Sequence, residues 1–120
     1  MFSISSARYF VYEKPTDMRK SFDGLCGIVQ NELGENPMGG DVYIFINKPR
    51  NRIKLLRWEY GGFVLFYKRL EKGTFAPPMG LKTGRTFNID YTQLVMMITG
   101  VSMEYAKKRR RFLQQKAVGN

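Results

Sequence analysis

Residues 41–71, DVYIFINKPRNRIKLLRWEYGGFVLFYKRLE, decide the fold, because they read as three consecutive antiparallel strands dense in arginine and lysine. Val42 to Ile46 is a continuous run of β-branched and aromatic residues without polar alternation, the pattern of a central strand covered on both faces. In Asn47-Lys48-Pro49-Arg50-Asn51 the proline presets a backbone angle suited to the second position of a tight turn, and asparagines suit the turn ends. Arg52 to Glu59 alternates, with Arg52, Lys54, Leu56 and Trp58 on one side and Ile53, Leu55, Arg57 and Glu59 on the other. Tyr60-Gly61-Gly62 supplies the positive backbone angles of a short hairpin, and Phe63 to Glu71 returns as the third strand. A β-meander results. Between Lys48 and Arg57 lie five basic side chains and no acid, which calls either for an anionic partner or for protection of a sheet edge against aggregation.

Upstream, Ala7 to Lys14 has strand composition, Tyr9 and Val11 facing one way and Phe10 and Tyr12 the other, and is expected to add a strand to the meander. Pro15 stops it, and Thr16 or Asp17 is placed to cap a helix from about Met18 to Leu33, where Met18, Phe22, Leu25, Val29 and Leu33 recur at helical steps. Gly24 and Gly27 inside that helix suggest close packing against a strand, and Gly34 ends it. Arg19 and Lys20 sit in the first turn, where the helix dipole disfavours cations; they either pair with Asp17 or Asp23, or bind phosphate at the helix start.

Downstream, Lys72 to Gly84 carries three glycines and two prolines and reads as an irregular loop anchored by Phe75, or a lid. Asp90 and Gln93 form a capping box ahead of a short helix ending near Gly100. A last basic helix or tail, 102–120, contains Lys107-Lys108-Arg109-Arg110-Arg111, which suits either a solvated end or a grip on phosphates. The expected architecture is α+β: one domain over 1–101, a mainly antiparallel sheet packed against one long helix, with short C-terminal helices.

Length and charge bound the function. A chain of 120 residues buries one core, and a formal net charge of +10 favours nucleic acid or an anionic membrane surface as partner. No window has the apolar length of a spanning helix, so no membrane partner is expected; the first residues lack a secretory pattern, which points to the cytoplasm. The single cysteine, Cys26, sits among apolar residues and reads as an inert buried thiol rather than a nucleophile, and the absence of histidine removes conventional zinc and Ser/His/Asp sites. The ten carboxylates form no recognisable metal or acid–base motif, so neither catalysis nor a cofactor is expected.

Three stretches, Asp17 to Leu25, Phe45 to Trp58 followed by Gly62-Phe63, and Tyr67 to Phe75, with a weaker echo from Gln93 to Val101, together resemble the TnpB-type accessory protein of insertion-sequence family sixty-six. The resemblance implies a non-catalytic accessory role in transposition, with strand transfer performed by a separate transposase. The basic run beyond Tyr105 belongs less clearly to that pattern, and its contacts are read from charge alone.

Charge gives the expected DNA-binding set: Arg19, Lys20, Lys48, Arg50, Arg52, Lys54, Arg57, Lys68, Arg69, Lys107, Lys108, Arg109, Arg110 and Arg111. Most of these would contact phosphate and position the protein, while an arginine from the 48–52 turn is suited to reading guanine in a groove. Trp58 and Tyr67 are either sheet core or stacking surfaces for unpaired bases. An adaptor that docks the transposase without touching DNA, and an RNA-binding domain, are the alternatives. The DNA reading requires the strand cations to gather on one exposed side of the sheet.

Overall fold

The computed structural model describes residues 7–78 and 80–100. The helix or tail expected over 102–120, including Lys107 to Arg111, lies outside the described residues. Six strands and two helices follow in the order β1 (Tyr9–Tyr12), α1 (Phe22–Asn31), β2 (Val42–Ile46), β3 (Arg52–Glu59), β4 (Gly62–Arg69), β5 (Leu81–Thr83), β6 (Thr86–Ile89) and α2 (Tyr91–Ile98). They form an α+β fold around one sheet with strand order β4-β3-β2-β1-β6-β5.

All five residues of β2 are buried, as an unbroken apolar strand inside a sheet must be. Hydrophobic side chains on the two faces of the sheet make two cores, not the single one expected from the chain's length, because helices cover the sheet from both sides. On one face Tyr12, Tyr43, Phe45 and Leu56 pack with Leu25, Ile28 and Val29 of α1. On the other Tyr9, Val11, Ile44, Ile53 and Leu55 pack with Phe75 and with Leu94 and Met97 of α2. The alternation anticipated for β1 and β3 therefore holds residue by residue.

The joining of β1 to β2 governs everything that follows. These strands are parallel, Tyr9 opposite Val42 and Val11 opposite Ile44, while the other four neighbouring pairs in the sheet are antiparallel. Parallel neighbours need a crossover, and α1 with its flanking loops provides it. The carboxyl ends of β1 and β2, and so the loops at 13–21 and 47–51, come to lie side by side.

Three local expectations are corrected. Helix α1 spans ten residues, not the sixteen from Met18 to Leu33. Asp17 caps a turn ahead of it instead, accepting from the Arg19 amide at 2.9 Å, while the Lys20 amide donates to the Asp17 carbonyl at 3.1 Å. Thr16 is buried, its amide bonded to the Ile46 carbonyl at 2.8 Å. Second, Gly24 and Gly27 do not bring α1 onto a strand: a Cβ at Gly24 would meet Lys20, and one at Gly27 only the Asn31 amide group, at 3.9 Å. Third, the region expected to be irregular contributes β5, which pairs with β6 across Gly84, whose φ of +62° makes the turn.

Other signals read correctly. Asp90 and Gln93 exchange side-chain-to-amide bonds at 2.7 and 2.9 Å before α2. Gly34 leaves α1 with φ +65°, and Tyr60 and Gly61, at +52° and +82°, turn β3 into β4. Cys26, expected to be buried, is half-buried; burial still raises its thiol pKa.

Candidate nucleic-acid interface

The turn after β2 is tied from within. Asn47 Oδ1 accepts from the amides of Asn51 and Arg52, both at 3.0 Å, and its Nδ2 donates to Asn51 Oδ1 at 2.8 Å. The Arg50 amide donates to the Asn47 carbonyl at 3.0 Å, which puts Lys48 second and Pro49 third in that turn, one place later than the sequence suggests. Arg50 itself adopts φ +62°, an unfavourable angle for a side chain with a Cβ. It is held there from three directions: its carbonyl accepts from the Phe75 amide at 2.7 Å, and its guanidinium donates to the Phe75 and Ala76 carbonyls at 3.3 and 2.9 Å. Burial lowers the Arg50 pKa. Arg50 is thus a clamp on the loop that carries the buried Phe75.

The strand cations divide between the faces of the sheet. Arg52 and Lys54 share the α1 face with their β4 neighbours, Arg69 and Tyr67, and Arg57 and Lys68 share the opposite face. Of the six cations expected on one exposed side, Arg50 lies in the turn before β3, and of the five on the strands only Arg52, Lys54 and Arg69 share a face, with Lys54 buried there, because β3 and β4 alternate through the sheet. Lys54 is 5% exposed, and its ammonium donates to the carbonyls of Met18 at 2.8 Å and Lys20 at 2.7 Å, above the Tyr67 ring at 4.6 Å. Arg57 donates to the Gly40 carbonyl at 3.1 Å and lies 3.6 Å from Glu59. Lys68 donates to the Ile98 carbonyl at 2.6 Å, where a cation complements the end of α2. These three are used inside the fold. Arg69 is exposed and paired with Glu71 at 2.7 Å.

What remains projects at the carboxyl ends of the parallel pair. Arg19, Lys48 and Arg52 line an open groove of about 550 Å³ together with Pro15, Asp17, Asn47, Pro49 and Tyr67. Arg52 donates to the Tyr67 hydroxyl at 2.7 Å. Lys20 and Lys14 border the adjoining depression beside Gly24 and Gly27. Lys14, which the sequence reading left out, belongs to this end because β1 ends there. Asp17 is the one carboxylate on the groove; hydrogen bonds from the Arg19 side chain and amide hold its pKa down at about 2. That ion pair, 2.6 Å between exposed groups, is of the kind that solvent and salt weaken readily. An open groove lined by three cations and one carboxylate suits a polyanion better than a small ligand.

Among the described residues no group of His, Cys, Asp and Glu is placed to hold a metal ion, and no helix is long and apolar enough to cross a membrane. The family model described as IS66 Orf2 like protein matches residues 7–108. The chain belongs to that family. Two curated proteins of Sinorhizobium fredii (strain NBRC 101917 / NGR234) are similar to it. The uncharacterized protein y4jC is 28% identical over 103 residues, which is 85% of this chain and 86% of the relative. The uncharacterized protein y4hO is 28% identical over 106 residues, 88% of this chain and 90% of the relative. No solved structure gives a significant match. Membership of the IS66 Orf2-like family places this chain among transposition-associated accessory proteins.

Proposed function

We propose that this IS66 Orf2-like protein binds the DNA of its mobile element through the basic end of its sheet, as a non-catalytic partner to the element's transposase. The reading rests on one observation: the parallel pairing of β1 with β2 sets two sequence-distant loops side by side, so that Arg19, Lys48 and Arg52 converge on one groove. Lys20 and Lys14 add cations in the adjoining depression, where Asp17 and Glu32 also stand. Lys54, buried beneath the groove, pins the carbonyls of Met18 and Lys20 and thereby fixes the loop bearing Arg19. It is a positioning residue.

A phosphate entering the groove competes with Asp17 for Arg19, an exchange that costs little because the pair is exposed. Binding releases the counterions condensed on DNA, so affinity falls with salt in proportion to the phosphates neutralised. The test is fluorescence anisotropy on element-end oligonucleotides at several salt concentrations. Replacing Arg19, Lys48 and Arg52 together by Gln reduces the log–log salt slope by about 2–3, at ~0.7 per phosphate lost on a single strand and ~0.9 on a duplex. Arg8→Gln leaves the slope unchanged, since Arg8 pairs with Asp41 at the other end of β1. No binding by the wild-type protein at low salt refutes the reading and favours the transposase adaptor.

A further inference from the structure

The groove contains one aromatic ring, and its surroundings differ from those of the core aromatics. Tyr67 is 45% exposed, on β4, the outermost strand of the sheet among the described residues. One face of its ring is taken by the Lys54 ammonium, 4.6 Å from the centroid. Its hydroxyl is held by Arg52 at 2.7 Å. The ring is therefore fixed in orientation from the inside of the sheet while the residue as a whole stays exposed. Trp58, by contrast, packs edge-on against Phe63 at 4.9 Å and does not line this groove.

We infer that Tyr67 is a stacking platform for an unpaired base, so that the groove takes single-stranded DNA, the phosphates flanking that base lying along Arg52, Lys48 and Arg19. The inference rests on the DNA-binding reading above and narrows it. Stacking needs a base free on at least one face. In a duplex both faces are covered by neighbouring pairs, so a ring beside cations meets only backbone there. A fixed aromatic amid positive side chains is the combination by which sequence-tolerant single-strand sites work. Because Arg52 touches both the ring and the groove, base and phosphate contacts are made by adjacent side chains. The site thereby favours strands already opened over intact duplex.

The test compares a single-stranded oligonucleotide with its duplex on wild type, Tyr67→Ala, Tyr67→Phe and the Arg19/Lys48/Arg52→Gln variant. Tyr67→Ala weakens single-strand binding roughly tenfold to a hundredfold, the worth of one stacked base, while duplex binding changes less than about twofold. Tyr67→Phe retains single-strand affinity, since the ring remains. Photocrosslinking of the wild-type protein to an oligonucleotide bearing 5-iodouracil, mapped by mass spectrometry, places the crosslink on Tyr67 and does not depend on the variants folding. Equal binding of single strand and duplex, or a crosslink elsewhere with Tyr67→Ala inert, overturns the inference while leaving the DNA reading intact if the triple Gln variant still loses affinity. Absence of binding to either DNA overturns the DNA reading itself.

Discussion

Replacing Lys54 by Met tests whether this cation serves the fold or the nucleic acid. The side chain is buried at 5% exposure and its ammonium makes two hydrogen bonds to backbone carbonyls, at 2.7 and 2.8 Å. Bonds from a charged donor contribute about 1.5–3 kcal/mol each. Their sum is offset because methionine removes a desolvated charge and keeps the apolar stem against Tyr67. Water can also reach the exposed Lys20 segment. The net expectation is a loss of about 2–3 kcal/mol, which for a domain of this size lowers Tm by roughly 8–20 °C. Urea titration followed by circular dichroism measures it, with an unchanged m-value confirming that two-state unfolding is compared. DNA binding supplies the second readout. Lys54→Met weakens affinity by loosening the loop of Arg19, yet leaves the salt slope at the wild-type value because no phosphate contact is removed. A stability change below about 0.5 kcal/mol, or a slope reduced by about one unit, refutes the assignment of Lys54 to the interior.

Two other substitutions have the opposite sign. Gly27→Ala stabilises by about 0.5–1 kcal/mol in the same titration, since the new methyl meets nothing closer than 3.9 Å and the helix interior gains from the lost backbone freedom. Tyr60→Asn, at φ +52° and 93% exposed in the β3–β4 turn, also stabilises by about 0.5–1 kcal/mol, because asparagine tolerates the left-handed region better than tyrosine. The pKa of Asp17 is lower in the fold than in the unfolded chain, so its contribution is complete above about pH 4 and is lost as the pH falls toward 2. Denaturation midpoints at pH 5, 3 and 2 therefore fall more steeply for the wild type than for Asp17→Asn.

Much of the architecture was legible because it depends on local pattern. The apolar run Val42 to Ile46 announced a strand buried on both faces, the alternation of Arg52 to Glu59 gave the two sides of β3, and Asp90 with Gln93 gave the start of α2. The site was less legible because its components meet through topology. Strand, helix, strand in succession is itself a signal for a parallel crossover, and from β1-α1-β2 the convergence of Arg19 with Lys48 was available to inference. The short β5–β6 hairpin was obscured by the glycines and prolines before it, although Thr83-Gly84-Arg85-Thr86 is a serviceable turn. The destinations of Lys54, Arg57 and Lys68 were not readable, since each donates to a backbone carbonyl and every residue has one.

Arg50 carries a consequence for how tightly a ligand can be held. A turn cross-braced through one guanidinium to two successive carbonyls presents Lys48 as part of a fixed template, with little wobble left to surrender when something docks. Lysine, offering a point charge in place of a planar fork, cannot span both carbonyls. A conservative exchange at this position would thus keep the charge and forfeit the rigidity, turning a stamped surface into a fringe.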